Sequence, residues 1–238
     1  MKWWLVDFRR GVTEHSFLGA ILIGTLSMGI GLAYYFYTQR TYTGTDAFIG
    51  SQSLILPFIA PLLASMGYSN MNMLEKDCGY KSLLMLKNQG KDYVLKRWFI
   101  NNCLSGLALV IPIFLFFVIC TFISPYTDQQ QIIGVLLLDF LFGFVYGSFA
   151  YSLTFVNSKR YIPLVAPEVL YLLFIYAFPY LNLEKFYPPL SFSPWLMPMD
   201  AEVYFITLQL VILFGVSILI ILGGWLFRKG EAVWLQQK

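Results

Sequence analysis

Charge is scarce in this chain of 238 residues: Asp, Glu, Lys and Arg make up 12% of it, about half the share of a soluble domain. So little charge cannot coat a water-exposed globule of this length. That excludes an ordinary soluble enzyme, a nucleic-acid-binding domain and a disordered tail. Histidine occurs once, at His15, so neither an H-E-x-x-H helix nor a His-based zinc cluster is available. A Cys–His peptidase is equally implausible, because His15 has no clear partner within an apolar run, and the position reads as interfacial. The three cysteines, Cys78, Cys103 and Cys120, form no C-x-x-C pair; a disulfide framework and a zinc site are both disfavoured. The phosphate loop G-x-x-x-x-G-K-[ST] is missing too. Gly90-Lys91 is followed by Asp92 and lacks the upstream glycine, so ATP cannot be cradled here by that route. No metal, cofactor or catalytic residue is expected in the chain.

What remains is apolar: 58% of residues, with a mean hydropathy of +0.66. A membrane-spanning helix needs about 20 apolar residues. Runs of that kind cover about 16–38, 48–66, 98–123, 132–156, 162–180 and 203–227. Short alternating segments, which a barrel would need, are absent, so the expected fold is an all-α integral membrane protein with six transmembrane helices. The whole of 1–238 reads as one transmembrane domain. A long run without a small-residue cleavage site follows Lys2, Arg9 and Arg10, which reads as an uncleaved first span.

Placement of the basic residues gives the orientation. Fourteen of the sixteen Lys and Arg residues fall in the N-terminal segment, in the connections after runs two and four, and in the tail; only Arg40 and Lys185 fall on the other side. The positive-inside rule puts both termini and the 67–97 connection in the cytoplasm of a cell with a plasma membrane. The outer connections are small. The last of them, 181–201, is broken by Pro188, Pro189, Pro194 and Pro198 and carries Phe186, Tyr187, Phe192 and Trp195, which suits a bent, partly buried cap. No internal repeat supports an inverted-repeat transporter.

The 67–97 connection is too long for a turn and too short for a domain. Ser69 or Asn70 can cap a helix, Glu75, Lys76 and Asp77 cluster charge, and Gly79 allows a change of direction. Tyr80, Leu83 and Leu84 then fall at i, i+3 and i+4 before Asn88-Gln89-Gly90 stops the pattern. A short helix there shows an apolar stripe at the cytoplasmic face. It can lie on lipid or plug a groove on a partner. The segment before His15 mixes Trp3, Trp4, Leu5, Val6 and Phe8 with Lys2, Asp7, Arg9, Arg10 and Glu14, which predicts an amphipathic lead-in or a basic anchor.

Glu75-x-Asp77-x-Gly79, then Leu83-Leu84, a turn and a basic stretch into the third run, resembles the cytoplasmic loop of type-2 ABC-transporter permeases. Tyr80 stands where that family often has a small hydroxyl residue, and Asn88 and Gly90 stand where it often has proline. The resemblance implies an exporter subunit that pairs with a second permease subunit, alike or related. A cytoplasmic nucleotide-binding ATPase subunit would dock on Glu75, Asp77, Gly79, Tyr80, Leu83 and Leu84, and ATP and Mg would be bound by that partner. The cargo implied is an apolar or amphipathic peptide or lipid-like compound.

Two acidic residues lie inside apolar runs. Asp139 is about two turns from the outer end of run four, and Glu168 about two turns from the cytoplasmic end of run five. Each either lines a translocation path or makes an interhelical hydrogen bond. Pro163 and Pro167 are expected to kink run five and turn Glu168 towards water or Lys159. Gly143-x-x-x-Gly147 predicts close helix packing. The competing functions are an ATP-independent secondary transporter or channel, an intramembrane enzyme, and a non-transporting immunity or assembly partner. Buried ionisable groups would favour the first of these, the residue inventory opposes the second, and an ATPase companion would separate the exporter from all three.

Overall fold

A computed structural model describes residues 3–38, 43–69, 71–79, 90–123, 129–157, 159, 161–192 and 203–236, and among them every regular element is a helix. The chain opens with α1 (Trp3–Val12), α2 (His15–Thr38), α3 (Gly44–Ser53), α4 (Leu56–Met66) and α5 (Met71–Asp77). Next come α6 (Gly90–Ile123), α7 (Gln129–Val156) and α8 (Ile162–Tyr180), then a 3-10 turn (Glu184–Phe186), α9 (Pro188–Phe192) and α10 (Val203–Gln236). Five helices, α2, α6, α7, α8 and α10, are long and apolar enough to cross a membrane.

The second run is not the continuous span expected over 48–66. It breaks between Ser53 and Leu56, and α3 and α4 meet at a bend of 70°. Pro57 lies in the first turn of α4. Proline supplies no N–H, so the Ser53 carbonyl four residues back loses its helical donor, and the chain restarts there as a new helix with proline in its first turn. The two halves still make one broken element. A Cβ placed on Gly31 of α2 would fall 2.3 Å from Ser51 O, one on Gly24 would fall 3.5 Å from Leu63 Cδ1, and one on Gly19 would fall 3.6 Å from Met66 Cε. Followed back from Gly31 to Gly19, α2 therefore meets Ser51, then Leu63, then Met66. The pair runs antiparallel to α2 over most of its length, as a sixth span would.

The third run was delimited at residue 98, but α6 begins eight residues earlier, at Gly90. Hydropathy marks the apolar part of a helix, and Lys91 to Arg97 continue the same helix beyond it. The last helix likewise continues past residue 227 to Gln236.

The contacts also assign ends. Asp7 meets Arg97 near the start of α6, and Trp98 meets Ser148 near the end of α7. Ser65 near the end of α4 meets Leu164 at the start of α8, and Gly224 of α10 lies against Phe155. Thus α1, the start of α2 and the far part of α10 share one end of the bundle. At the other end Phe192 of α9 is buried with its ring 5.2 Å from that of Phe142, so the start of the proline-rich cap folds inward. Pro194, Trp195 and Pro198 lie outside the described residues.

The core is a continuous apolar cluster that includes Phe17, Leu63, Leu104, Ile113, Phe142 and Tyr171. The outward surface is apolar as well, with Leu22, Leu26, Phe122, Leu137, Val169 and Leu219 among its exposed side chains. A helix that is apolar all round belongs in lipid.

Candidate functional site

The densest polar construction sits at the α1 end, where three separate elements bring four charged side chains together. Arg97 of α6 is only 1% exposed. Its Nη1 donates to Asp7 Oδ1 at 2.9 Å and to Oδ2 at 3.0 Å, so the guanidinium holds the carboxylate of α1 with both oxygens engaged. Its Nη2 lies 3.1 Å from Glu75 Oε1 of α5 as an ion pair without hydrogen-bond alignment. Arg10 Nη1 donates to the same Glu75 oxygen at 3.2 Å and lies 4.0 Å from Asp7 Oδ1. Two carboxylates and two guanidinium groups balance one another.

Two tyrosines close the cluster. Tyr93 OH donates to Glu75 Oε2 at 2.9 Å. Tyr68 OH donates to Asp7 Oδ1 over a longer 3.4 Å. The Arg97 guanidinium carbon stands 4.6 Å from the Tyr68 ring centre, within cation–π range. Burial pushes the Tyr68 hydroxyl above the ordinary phenol range, against the opposing pull of Arg97, so it remains a donor at neutral pH.

Each element reaches this point for a local reason. Helix α1 carries Asp7 and Gly11 on its buried face and leaves Leu5, Val6 and Val12 exposed, an amphipathic arrangement. A Cβ on Gly11 would fall 2.1 Å from Leu104 Cδ1, so glycine lets α1 lie directly on α6. The chain leaves α4 through buried Tyr68 and Ser69. Ser69 Oγ donates to Asn101 Oδ1 at 3.2 Å, and Asn101 Nδ2 donates to Gly147 O at 2.9 Å. One turn above Arg97, the loop is thereby bonded to α6 and, through α6, to α7. Glu75 then points inward from α5 while Asp77 and Cys78 face outward.

The residues singled out by sequence fall into several groups. Glu75 belongs to the buried cluster, turned towards Arg97. Asp77 is exposed, and Gly79 is exposed with φ +68°, a left-handed turn that favours glycine. Tyr80, Leu83 and Leu84, and with them the expected coupling helix, lie outside the described residues. Gly143 and Gly147 of α7 face α6. Added Cβ atoms would fall 2.8 Å from Ser105 O and 2.2 Å from Ser105 Oγ respectively. His15 is exposed at the start of α2.

Asp139 and Glu168 are not brought together into one site. Glu168 Oε2 accepts the Leu62 N–H at 3.0 Å, so it turns to α4 instead of outward to Lys159. Pro61 explains the neighbourhood. Lacking an N–H, it leaves Pro57 O without its helical donor, and Tyr171 OH donates to that carbonyl at 2.8 Å. Ser65 Oγ adds a bond to Leu164 O at 2.7 Å. Side chains of α8 and α4 thus stitch together a proline-disrupted backbone. Asp139 is fully buried, and neither carboxylate oxygen has a hydrogen-bond partner among the described residues. A lone buried carboxylate is costly.

Sequence reasoning missed Asp7 and Arg97 as site residues. Their signal was one of two acids in an aromatic and basic lead-in and a single arginine at the start of a span, 90 residues apart. Among the described residues no cluster of His, Cys, Asp and Glu could hold a metal ion. Comparison with known protein families, characterised proteins and solved structures returns no match.

Proposed function

We propose that the chain is the membrane-spanning permease subunit of an ATP-driven exporter, with its two ends in the cytoplasm and a separate ATPase docked on the 67–97 connection. The observation that carries this reading is the Asp7–Arg97–Glu75 cluster. It fastens α5, which lies within that connection, to both the amphipathic α1 and the third span. A push on the loop would reach α6 through a buried ion pair, a stiff linkage compared with an exposed one. The distribution of Lys and Arg supports the cytoplasmic side for this end, and the Glu75-x-Asp77-x-Gly79 pattern followed by Leu83-Leu84 supports an ATPase as the docked partner. A second permease subunit would complete the path. The cargo class, an apolar or amphipathic peptide or lipid-like compound, rests on analogy.

The double variant Leu83→Asp with Leu84→Asp tests this reading. The co-purified complex, reconstituted with a fluorescent amphiphilic peptide or a labelled short-chain lipid, is expected to go on hydrolysing ATP without transport while the protein still inserts. Transport at the wild-type rate would count against docking at this loop.

A second reading, ion- or proton-coupled transport without ATP, is favoured by one observation. Asp139 is buried without a hydrogen-bond partner among the described residues, in a bundle whose second span is broken, and intramembrane carboxylates and broken helices mark coupling sites in secondary transporters. Transport abolished by Asp139→Asn, and indifferent to ATP, would favour this second reading.

A further inference from the structure

The α3–α4 break and the buried Asp139 belong to the readings above; a third feature stands apart from both. Helices α8 and α10 each pack against α7 but barely touch one another. Between them lies a cleft of about 430 Å³, lined by Tyr146 and Phe149 of α7, Phe174 and Phe178 of α8, and Gln209 and Leu213 of α10, with four further apolar residues. That volume falls within the range of small-molecule sites.

From these features we propose that the cleft is a binding groove for one alkyl chain of a membrane amphiphile, entered sideways from the bilayer.

Three observations lead to this occupant. The first is depth. All lining residues lie inside the candidate spans Ile133–Val156, Ile162–Tyr180 and Tyr204–Gly224, and of them Phe178 alone comes close to an end. The nine residues from Leu170 to Phe178, eight helical steps, make a groove about 12 Å long, which fits a stretch of one chain and not a whole lipid.

The second is chemistry. Among the described residues no charged side chain lines the cleft, and its polar lining residues are Gln209 and Tyr146. An apolar cleft of this kind does not hold water well, and left empty it would forfeit the dispersion contacts of its walls.

The third is continuity. Ile212 and Val216 line the cleft and are also 55% and 40% exposed. They join it to the lipid-facing belt of Val169, Leu173, Val211 and Leu219. The flanking spans are the least buried of the five, at 22% and 17%. The groove is thus an inlet of the surface that already meets hydrocarbon. It stands whether or not an ATPase is the partner, because none of its residues belongs to the α1 end.

The test uses the full chain in phosphatidylcholine vesicles, with a fatty acid carrying a photoreactive diazirine on its chain as the probe. Adducts are mapped by peptide mass spectrometry. Labelling of groove residues is expected to exceed that of Leu22 and Leu26 on α2 by about tenfold, the ratio that roughly 1.4 kcal/mol of preference gives. It is also expected to be competed away by excess unlabelled oleate. Leu213→Trp, or Val216→Phe should the first variant fail to fold, is expected to remove the groove label, whereas Leu219→Trp on the exposed face is expected to keep it. Equal labelling of all lipid-facing helices, unmoved by oleate, would reduce the groove to ordinary bilayer contact and overturn the proposal. Labelling absent from the groove, with α8 and α10 cross-linking between two chains there, would overturn it in favour of a second copy as the occupant.

Discussion

Arg97 shows how much one side chain can hold. It is buried between two carboxylates from elements far away in sequence. Removing one partner of a buried ion pair strands the others and costs about 3–5 kcal/mol, whereas replacing the set together can be close to neutral. Arg97→Ala is therefore expected to lower the midpoint of thermal unfolding in detergent sharply. The triple variant Arg97→Met, Asp7→Asn, Glu75→Gln is expected to regain most of that loss; a single variant as stable as wild type would show that the cluster is not a clamp. Glu168 gives a finer contrast. Its role in the structure is to accept one backbone N–H, and glutamine keeps an accepting oxygen. Glu168→Gln is expected to melt near wild type, while Glu168→Ala strands the Leu62 N–H at a cost of about 1–3 kcal/mol. Equal losses in the two variants would point to the charge, and so to a path-lining role. At this scale the sequence was only half legible. Glu75 stood out as part of a loop motif and Glu168 as an acid inside an apolar run. Their partners did not, since nothing local links Asp7 to Arg97, and Arg97 passes for one more topological charge beside Lys96.

At the scale of elements, the α6–α7 seam leaves little room. Ser105 sits against both Gly143 and Gly147, and a Cβ at Gly147 would fall 2.2 Å from its Oγ. Overpacking of this kind costs about 1–3 kcal/mol. Gly147→Ala is expected to destabilise the protein, and Ser105→Gly in the same chain to relieve much of it. A double-mutant cycle in detergent reads the coupling, and an additive result would remove the seam from the account. This face was legible because small residues four apart leave a mark at helical spacing, as did each long apolar run. The bend between α3 and α4 was not. Hydropathy averages across 48–66 and sees one apolar stretch, while the break is set by Pro57, and the cross-links that mend the region come from α8, more than 100 residues away. Likewise, hydropathy read Gly90 to Arg97 as loop because charge, not helicity, is what it measures.

Across the whole molecule, the contacts bring α1, the described part of the 67–97 connection and the far part of α10 to one end, in agreement with the even number of crossings that the Lys and Arg distribution implies. The bundle was legible from composition, because scarce charge and long apolar runs leave few alternatives. The proposed function rests in the sequence on a pattern in one loop, and the part of that pattern with the paired leucines lies outside the described residues. The account's central claim is that this end of the bundle is worked by a separate nucleotide-hydrolysing subunit. Affinity purification of the full chain from its native membranes, with identification of what comes with it, tests that most directly. The account predicts a cytoplasmic ATPase carrying a phosphate loop in near-equal amount with the chain. An intact, membrane-inserted protein that brings down no such ATPase would contradict it.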